Sequence, residues 1–489
     1  MSERLSALLA RDLAPEADPV IEGVTADSRA VRPGYLFAAL PGAASDGRSF
    51  IDKALASGAA AVLAPSDTPN GLTGPAPLVR AHDARRLYAL AARRLQPAEP
   101  ETIVAVTGTN GKTSVATFCR QIFAALGRAS ASMGTLGVQL QSTAAVEALT
   151  PPGLTTPDAA EVARLAAELA GRGVTHMALE ASSHGLDQRR LDGLTLKAAG
   201  FTNLSQDHLD YHGGMDAYRA CKLRLFEALV TRGGGAVLNA DAADFPAFAA
   251  AAVTHGLSVL SVGETGRAIR LLGRRPEPYG QRLKGEALGR AFDIRLPLAG
   301  AFQASNALVA AGLCIAAGEP PEAVMVALEG LDGAPGRLQR VGSGPKGGEA
   351  YVDYAHTPDG LHTVLEALRP HVRRRLIVVF GAGGDRDAGK RPLMGAAAHA
   401  LADLAIVTDD NPRSEDPSAI RAAVLAGAPG ALEVGDRRAA IRAAVEQLGE
   451  GDVLVVAGKG HEQGQTVAGV VHPFDDVAEV TAALQAVHA

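Results

Sequence analysis

Residues 101 to 127, ETIVAVTGTNGKTSVATFCRQIFAALG, constrain the fold more tightly than any other stretch of the chain. ETIVAVT is an apolar, β-prone run that predicts a strand. TSVATFCRQIFAAL places apolar residues at helical spacing, with Gly127 as its stop. Between them, Gly108, Thr109, Asn110, Gly111, Lys112, Thr113 and Ser114 form a shortened relative of the Walker A loop. Gly108 and Gly111 let backbone N–H groups turn toward phosphate oxygens at a helix N-terminus, where the dipole also favours anions. Lys112 would reach the terminal phosphates of a nucleotide, and Thr113 or Ser114 would hold Mg2+. The alternative is a tight glycine turn carrying an exposed lysine. The order strand, loop, helix favours phosphate binding.

The rest of the chain extends this unit into an α/β protein of three domains. A helix expected over 82–95 is followed by QPAEPE, whose prolines and charges predict a linker and a first boundary near residue 98. Strands expected at 174–180, 198–203 and 235–239 alternate with helices, the pattern of a mostly parallel sheet covered on both faces. The region 255–296 reads as irregular and β-prone, after which AFQASNALVAAGLCIAAG resumes a helix. From about 333, GEAYVDY, RRLIVVFG, DLAIVTDD and DVLVVAG read as strands, with helices near 358–369, 391–401, 417–426 and 437–449. This is a second, Rossmann-like doubly wound unit. The expected domains are 1–98, 99–332 and 333–489.

Bulk properties narrow the partners. The 489 residues exceed what one core supports. A formal net charge of -6 provides no basic field for a nucleic-acid backbone, although local donors still suffice for a small polyanion. Cys119, Cys221 and Cys314 are odd in number and widely spaced, which predicts neither a disulfide framework nor a C-x-x-C metal site and fits a reducing cytoplasm. The N-terminal stretch is interrupted by Glu3, Arg4, Arg11 and Asp12, unlike a signal peptide. No apolar run approaches the roughly 20 residues needed to span a bilayer.

Other candidate residues follow the loop. Glu180 ends an expected strand, where a carboxylate beside a phosphate loop suits Mg2+. His208, in NLSQDHLDYHG, and Lys222, in YRACKLRLF, read by themselves as a structural histidine and an exposed helical lysine. Without further context, Asp410-Asn411-Pro412-Arg413 is a turn after a strand.

Taken together, GTNGKTS, ALEASSHGLDQRR, NLSQDHLDYHGGMDAYRACK, GAFQASN, GRLQRV, VDYAHTPD and AGKGHE resemble the Mur ligases over nearly the whole chain. The resemblance is to the branch that adds meso-diaminopimelate to UDP-N-acetylmuramoyl-L-alanyl-D-glutamate. It implies an ATP- and Mg2+-dependent amide-bond ligase of peptidoglycan synthesis, cytoplasmic and monomeric, with an N-terminal UDP-binding domain, a central ATPase domain and a C-terminal amino-acid domain.

The same resemblance assigns roles. Lys222 matches a lysine that becomes a carbamate and an oxygen ligand for Mg2+, with Glu180 and His208 as companions. Asn306 matches an adenine-side asparagine, with Gln303 where a second asparagine is common. Arg337 and Asp353 match residues of the third domain that approach nucleotide when the domains close. UDP and muropeptide recognition maps to Ala26, Ser28, Ala43, Ala44, Ser45, Thr155, Thr156, Ser182, Gln188 and Arg190, where hydroxyls and an arginine suit pyrophosphate and carboxylate. Asp410, Asn411, Pro412 and Arg413, with Arg386, Gly458 and Glu462, match the amino-acid site. There an arginine can take the second carboxylate of diaminopimelate bidentately, and Glu462 can take the distal ammonium.

Overall fold

Strand Thr102–Thr107 is buried at every position, as a strand must be when helices cover both faces of its sheet. The computed structural model describes residues 2–488 except 43–44, 73, 75 and 143–144. It divides into two compact units, one of residues 1–262 and 309–320, the other of 263–308 and 321–489.

In the first unit a small parallel sheet, Gly23–Thr25, Tyr35–Ala38, Ala61–Pro65 and Leu78–Ala81, packs against helix Ala84–Leu95. Asp83 caps that helix on the N–H of Arg86. Tyr88 reaches from it to Asp158, 2.6 Å away, which itself caps helix Ala159–Gly171.

The larger sheet of this unit runs Val146–Thr150, Gly137–Gln141, Ser130–Gly134, His176–Glu180, Thr102–Thr107, Leu196–Phe201, Val230–Asn239 and Ser258–Gly263. From Ser130–Gly134 onward the pairs are parallel; the first three strands pair antiparallel. Neighbouring parallel strands end together, so the loop after Thr107 and the carboxylate of Glu180 emerge on the same edge, where ligands of parallel sheets bind.

Of the region 255–296, read as irregular and β-prone, the part in the second unit is an orderly antiparallel meander of Ile269–Glu277, Gly280–Ala287 and Arg290–Leu296. Its alternation is obscured by arginines on the exposed face and by a bulge between Leu271 and Gly273. The C-terminal sheet runs Gln339–Ser343, Glu349–Asp353, Val453–Ala457, Leu376–Phe380, Leu404–Val407 and Leu432–Glu433. All its pairs are parallel except the first. Helices Pro358–Leu368, Lys390–Leu401, Pro417–Leu425 and Arg437–Glu446 lie close to the ranges expected for them. Among the described residues no helix is long and apolar enough to cross a membrane.

Candidate active site

The glycine loop begins where strand Thr102–Thr107 ends. Gly108 has φ +152°, and a Cβ there would collide with the Thr202 hydroxyl. Gly111, at φ +88°, opens helix Lys112–Ala125 with no side chain capping it, so its first N–H groups point into the loop. The segment after the next strand braces the cradle. Thr109 N–H donates to Asn203 O (2.9 Å), Asn110 N–H to Asn203 Oδ1 (3.0 Å), and the Thr202 hydroxyl to Asn110 O (2.6 Å). A pre-shaped glycine loop with helix amides fits a nucleotide polyphosphate.

Two lysines converge on this loop. Lys112 Nζ donates to Gly108 O and Thr109 O, both at 2.8 Å, and Lys222 Nζ donates to the same Gly108 O at 2.9 Å. Far from being an exposed helical lysine, Lys222 is 1% exposed and lies 4.5 Å from the centre of the Tyr218 ring. Burial, with the Lys112 charge adding to it, pulls its pKa down to about 6. A neutral amine at physiological pH is the form that reacts with CO2, so this environment fits the carbamate.

Glu180 stands beside the loop, almost fully buried. Its Oε2 accepts from the Thr113 hydroxyl at 3.0 Å and the Thr135 hydroxyl at 3.3 Å, and its Oε1 from Thr135 N–H at 2.8 Å. Thr135 has no counterpart among the sequence candidates; its only signal is its place at the end of a short strand beside the Glu180 strand. Hydroxyl and carboxylate oxygens beside a phosphate cradle suit Mg2+. Among the described residues no three His, Cys, Asp or Glu side chains gather to hold a metal, so phosphate and water oxygens would complete its shell. Ser114 is buried next to Thr113. The structure places His208 at φ +52° in an aromatic group, edge-on to His184 at 4.9 Å and 3.5 Å from Asp207.

The carboxylate-side candidates form one continuous network with Glu180. The Thr155 hydroxyl lies 3.1 Å from that of Thr135, and the Thr156 hydroxyl contacts Glu180 O (2.8 Å) and the Ser182 hydroxyl (2.9 Å). Arg190 donates to Thr156 O and, at 2.8 Å, to Gln188 Oε1. A cleft of about 1350 Å3 includes Arg190, Ala26, Ser28 and Ser45 in its lining, large enough for a nucleotide sugar. Ala43 and Ala44 lie outside the described residues.

In the second unit Asn306 donates to Gln303 (3.2 Å), and Gln303 to Arg337 O (3.0 Å). The Arg337 guanidinium lies 4.7 Å from the centre of the Tyr354 ring. Asp353 accepts from the N–H groups of Leu338 (2.6 Å) and Ala355 (2.8 Å), while burial, opposed by the Arg337 charge, raises its pKa to about 6.

A separate cluster holds the residues around 410. Asn411 Nδ2 donates to Glu462 Oε2 at 2.9 Å. A Cβ on Gly458 would strike Asp410, so that position needs glycine. Arg413, at φ +55°, is fixed by its backbone pairing with Thr466 and Ala468, and its Nη1 donates to Gly384 O at 2.7 Å. Arg386 is exposed, and its side chain and Arg413 Nη1 both border Gly383. The residues that sequence reasoning missed here are Lys459, fully buried among Asp410, Asn411 and Glu462, and the buried pair Arg437–Asp476 at 2.7 Å.

The chain matches the models of the Mur ligase middle domain over residues 106–314, the Mur ligase glutamate ligase domain over 336–460, and the Mur ligase family catalytic domain over 20–94. It is 68% identical, over the full length of both chains, to UDP-N-acetylmuramoyl-L-alanyl-D-glutamate--2,6-diaminopimelate ligase of Caulobacter vibrioides. The chain belongs to the Mur ligase family. The Bradyrhizobium diazoefficiens ligase of the same name is 52% identical over 98% of this chain and 99% of that one. A solved structure of a ligase with this name superposes with a TM-score of 0.75 at 35% identity, covering both chains fully. The three-domain α/β architecture of this Mur ligase is thus the family's own, with the glycine loop at 108–114 and the cluster around Asp410 and Lys459 on different sheets.

Proposed function

We propose that this Mur ligase adds meso-diaminopimelate to the D-glutamate γ-carboxylate of UDP-N-acetylmuramoyl-L-alanyl-D-glutamate, at the expense of ATP, in cytoplasmic peptidoglycan precursor synthesis. It would act as a monomer. The observation that carries the reading is the pairing of Lys112 and Lys222 on one loop carbonyl beside Glu180, together with an acceptor cluster in which Arg413 and Glu462 offer opposite charges. Such a pair of charges suits a ligand with a carboxylate and an ammonium at its far end.

In this reading Gly108–Ser114 cradle the triphosphate, Asn306 takes the adenine side, and Arg337 and Asp353 belong to the nucleotide's surroundings. Thr113, Ser114, Glu180, His208 and carbamylated Lys222 would hold Mg2+, which supplies charge neutralisation on the transferring phosphoryl oxygens. Lys112 places its ammonium against the same oxygens, so that negative charge developing there meets a fixed donor. Thr155, Thr156, Ser182, Gln188 and Arg190 orient the muropeptide so that its γ-carboxylate faces the phosphate loop. Attack on the γ-phosphoryl group gives an acyl phosphate and ADP. Asp410, Asn411, Arg413, Arg386, Gly458 and Glu462 hold diaminopimelate by its distal end, leaving its reacting amine to attack the acyl carbon and expel phosphate.

The test is phosphate release with UDP-muramoyl dipeptide and a panel of amino acids. Release should require the dipeptide and meso-diaminopimelate together. Equal release with lysine would reject the acceptor assigned here, as would release with glutamate, the outcome expected of a folylpolyglutamate-synthase-like ligase. No release with any amino acid would reject the ligase reading.

A further inference from the structure

Lys459 lies between two left-handed glycines, Gly458 at φ +123° and Gly460 at φ +57°, in the turn after strand Val453–Ala457. Its side chain is 0% exposed. Enclosing an ammonium costs several kcal/mol unless partners compensate it, and a residue needed only for volume would be apolar. The partners are all residues of the acceptor cluster. Nζ donates to Asn411 Oδ1 at 3.0 Å and to Glu462 Oε2 at 3.3 Å, and stands 3.8 Å from Asp410 Oδ1.

These contacts dictate the orientation of two further groups. Asn411 Oδ1 accepts from both Lys459 and Thr466 N–H (2.9 Å), so the amide must turn its Nδ2 toward Glu462. Glu462 Oε2 then receives two donors, Asn411 Nδ2 and Lys459 Nζ, and the carboxylate is held by that one oxygen. Oε1 accepts from no group among the described residues and is left to a ligand. Arg437 is the other buried cation, and its charge goes to Asp476 at 2.7 Å through two nitrogens. The Glu462 side chain is about one-third exposed, so its second oxygen faces the open side of the cluster.

We propose that Lys459 is a positioning residue for the acceptor amino acid. It pins Glu462 and the Asn411 amide so that Glu462 Oε1 is turned to meet the distal ammonium. This rests on the reading that the cluster holds a diamino acid. Lys459 acts through Glu462 and touches no reacting atom, so its removal weakens acceptor binding and leaves the phosphoryl transfer machinery intact.

Steady-state kinetics of Lys459→Met, alongside thermal melting, test this. The KM for meso-diaminopimelate should rise about 10- to 100-fold, the loss expected for a charged hydrogen bond, while kcat and the KM values for ATP and the muropeptide stay within about threefold. Lys459→Gln, which keeps a donor toward Asn411 but no charge, should fall between. Combining Lys459→Met with Glu462→Gln should add little to Glu462→Gln alone, since both act through one carboxylate. A folded Lys459→Met with unchanged KM for diaminopimelate, or with all three KM values shifted alike, overturns the proposal. So does the absence of a melting transition in both Lys459 variants, which would make the residue structural. A wild-type enzyme indifferent to diaminopimelate would instead refute the underlying acceptor assignment.

Discussion

Whether Lys222 captures CO2 can be worked out from its surroundings. A lysine in water, with its pKa near 10.5, is about 0.1% neutral at pH 7.5, whereas one with its pKa near 6 is about 97% neutral. Burial beside Lys112 therefore raises the population of nucleophilic amine roughly a thousandfold. Unmodified, the Lys112 ammonium and the neutral Lys222 amine both donate to the Gly108 carbonyl, at 2.8 and 2.9 Å; a carbamate on Lys222 would set an anion beside the Lys112 charge. At fixed dissolved CO2, carbon-13 NMR of protein equilibrated with labelled bicarbonate should show one carbamate carbon. Carboxylation of the neutral amine releases a further proton, so at fixed CO2 occupancy should climb steadily with pH, and at pH 7.5 it should far exceed that of a solvent-exposed lysine. Lys222→Ala should lack the signal and lose ligation, and added bicarbonate should not restore it. A carbamate occupancy at pH 7.5 no greater than that of an exposed lysine, or an equal signal in Lys222→Ala, would refute the reasoning.

Two further outcomes follow from the same geometry. Gly108→Ala pushes a methyl group into Thr202 and the Asn203 backbone at a positive φ, so it should lose ATP binding by calorimetry and about 1 to 3 kcal/mol of stability in urea titration. Asp353 has a folded-state pKa near 6, above its ordinary 3.8, so its contribution to stability is fully present below about pH 3.8 and lost as pH rises through 6. That change amounts to at most about 3 kcal/mol, and denaturation of Asp353→Asn across pH 4 to 7 should show a correspondingly flatter profile than wild type.

The sequence made the parallel sheets legible because their strands are unbroken apolar runs ending in glycine turns. The loop at 108–114 combined position with residue type and could be read directly. The antiparallel edge at 130–150 and the meander at 269–296 were not legible: Ser130–Gly134 is rich in small residues, and the meander's exposed face is dense with arginine. Lys222 shows the limit most clearly. Its helix has weak amphipathic patterning, and nothing local tells that Tyr218 and the loop enclose it. Lys459 was invisible for the related reason that its partners at 410–411 lie nearly fifty residues upstream and meet it only because their strands belong to one sheet.

The central claim is that the γ-carboxylate is activated as an acyl phosphate before the amine of diaminopimelate attacks. Labelling both oxygens of that carboxylate with oxygen-18 and analysing the released phosphate by mass spectrometry tests it most directly. One labelled oxygen should appear in each phosphate released, with the other retained in the new amide. Phosphate carrying no label, formed while the amide accumulates, would contradict the account.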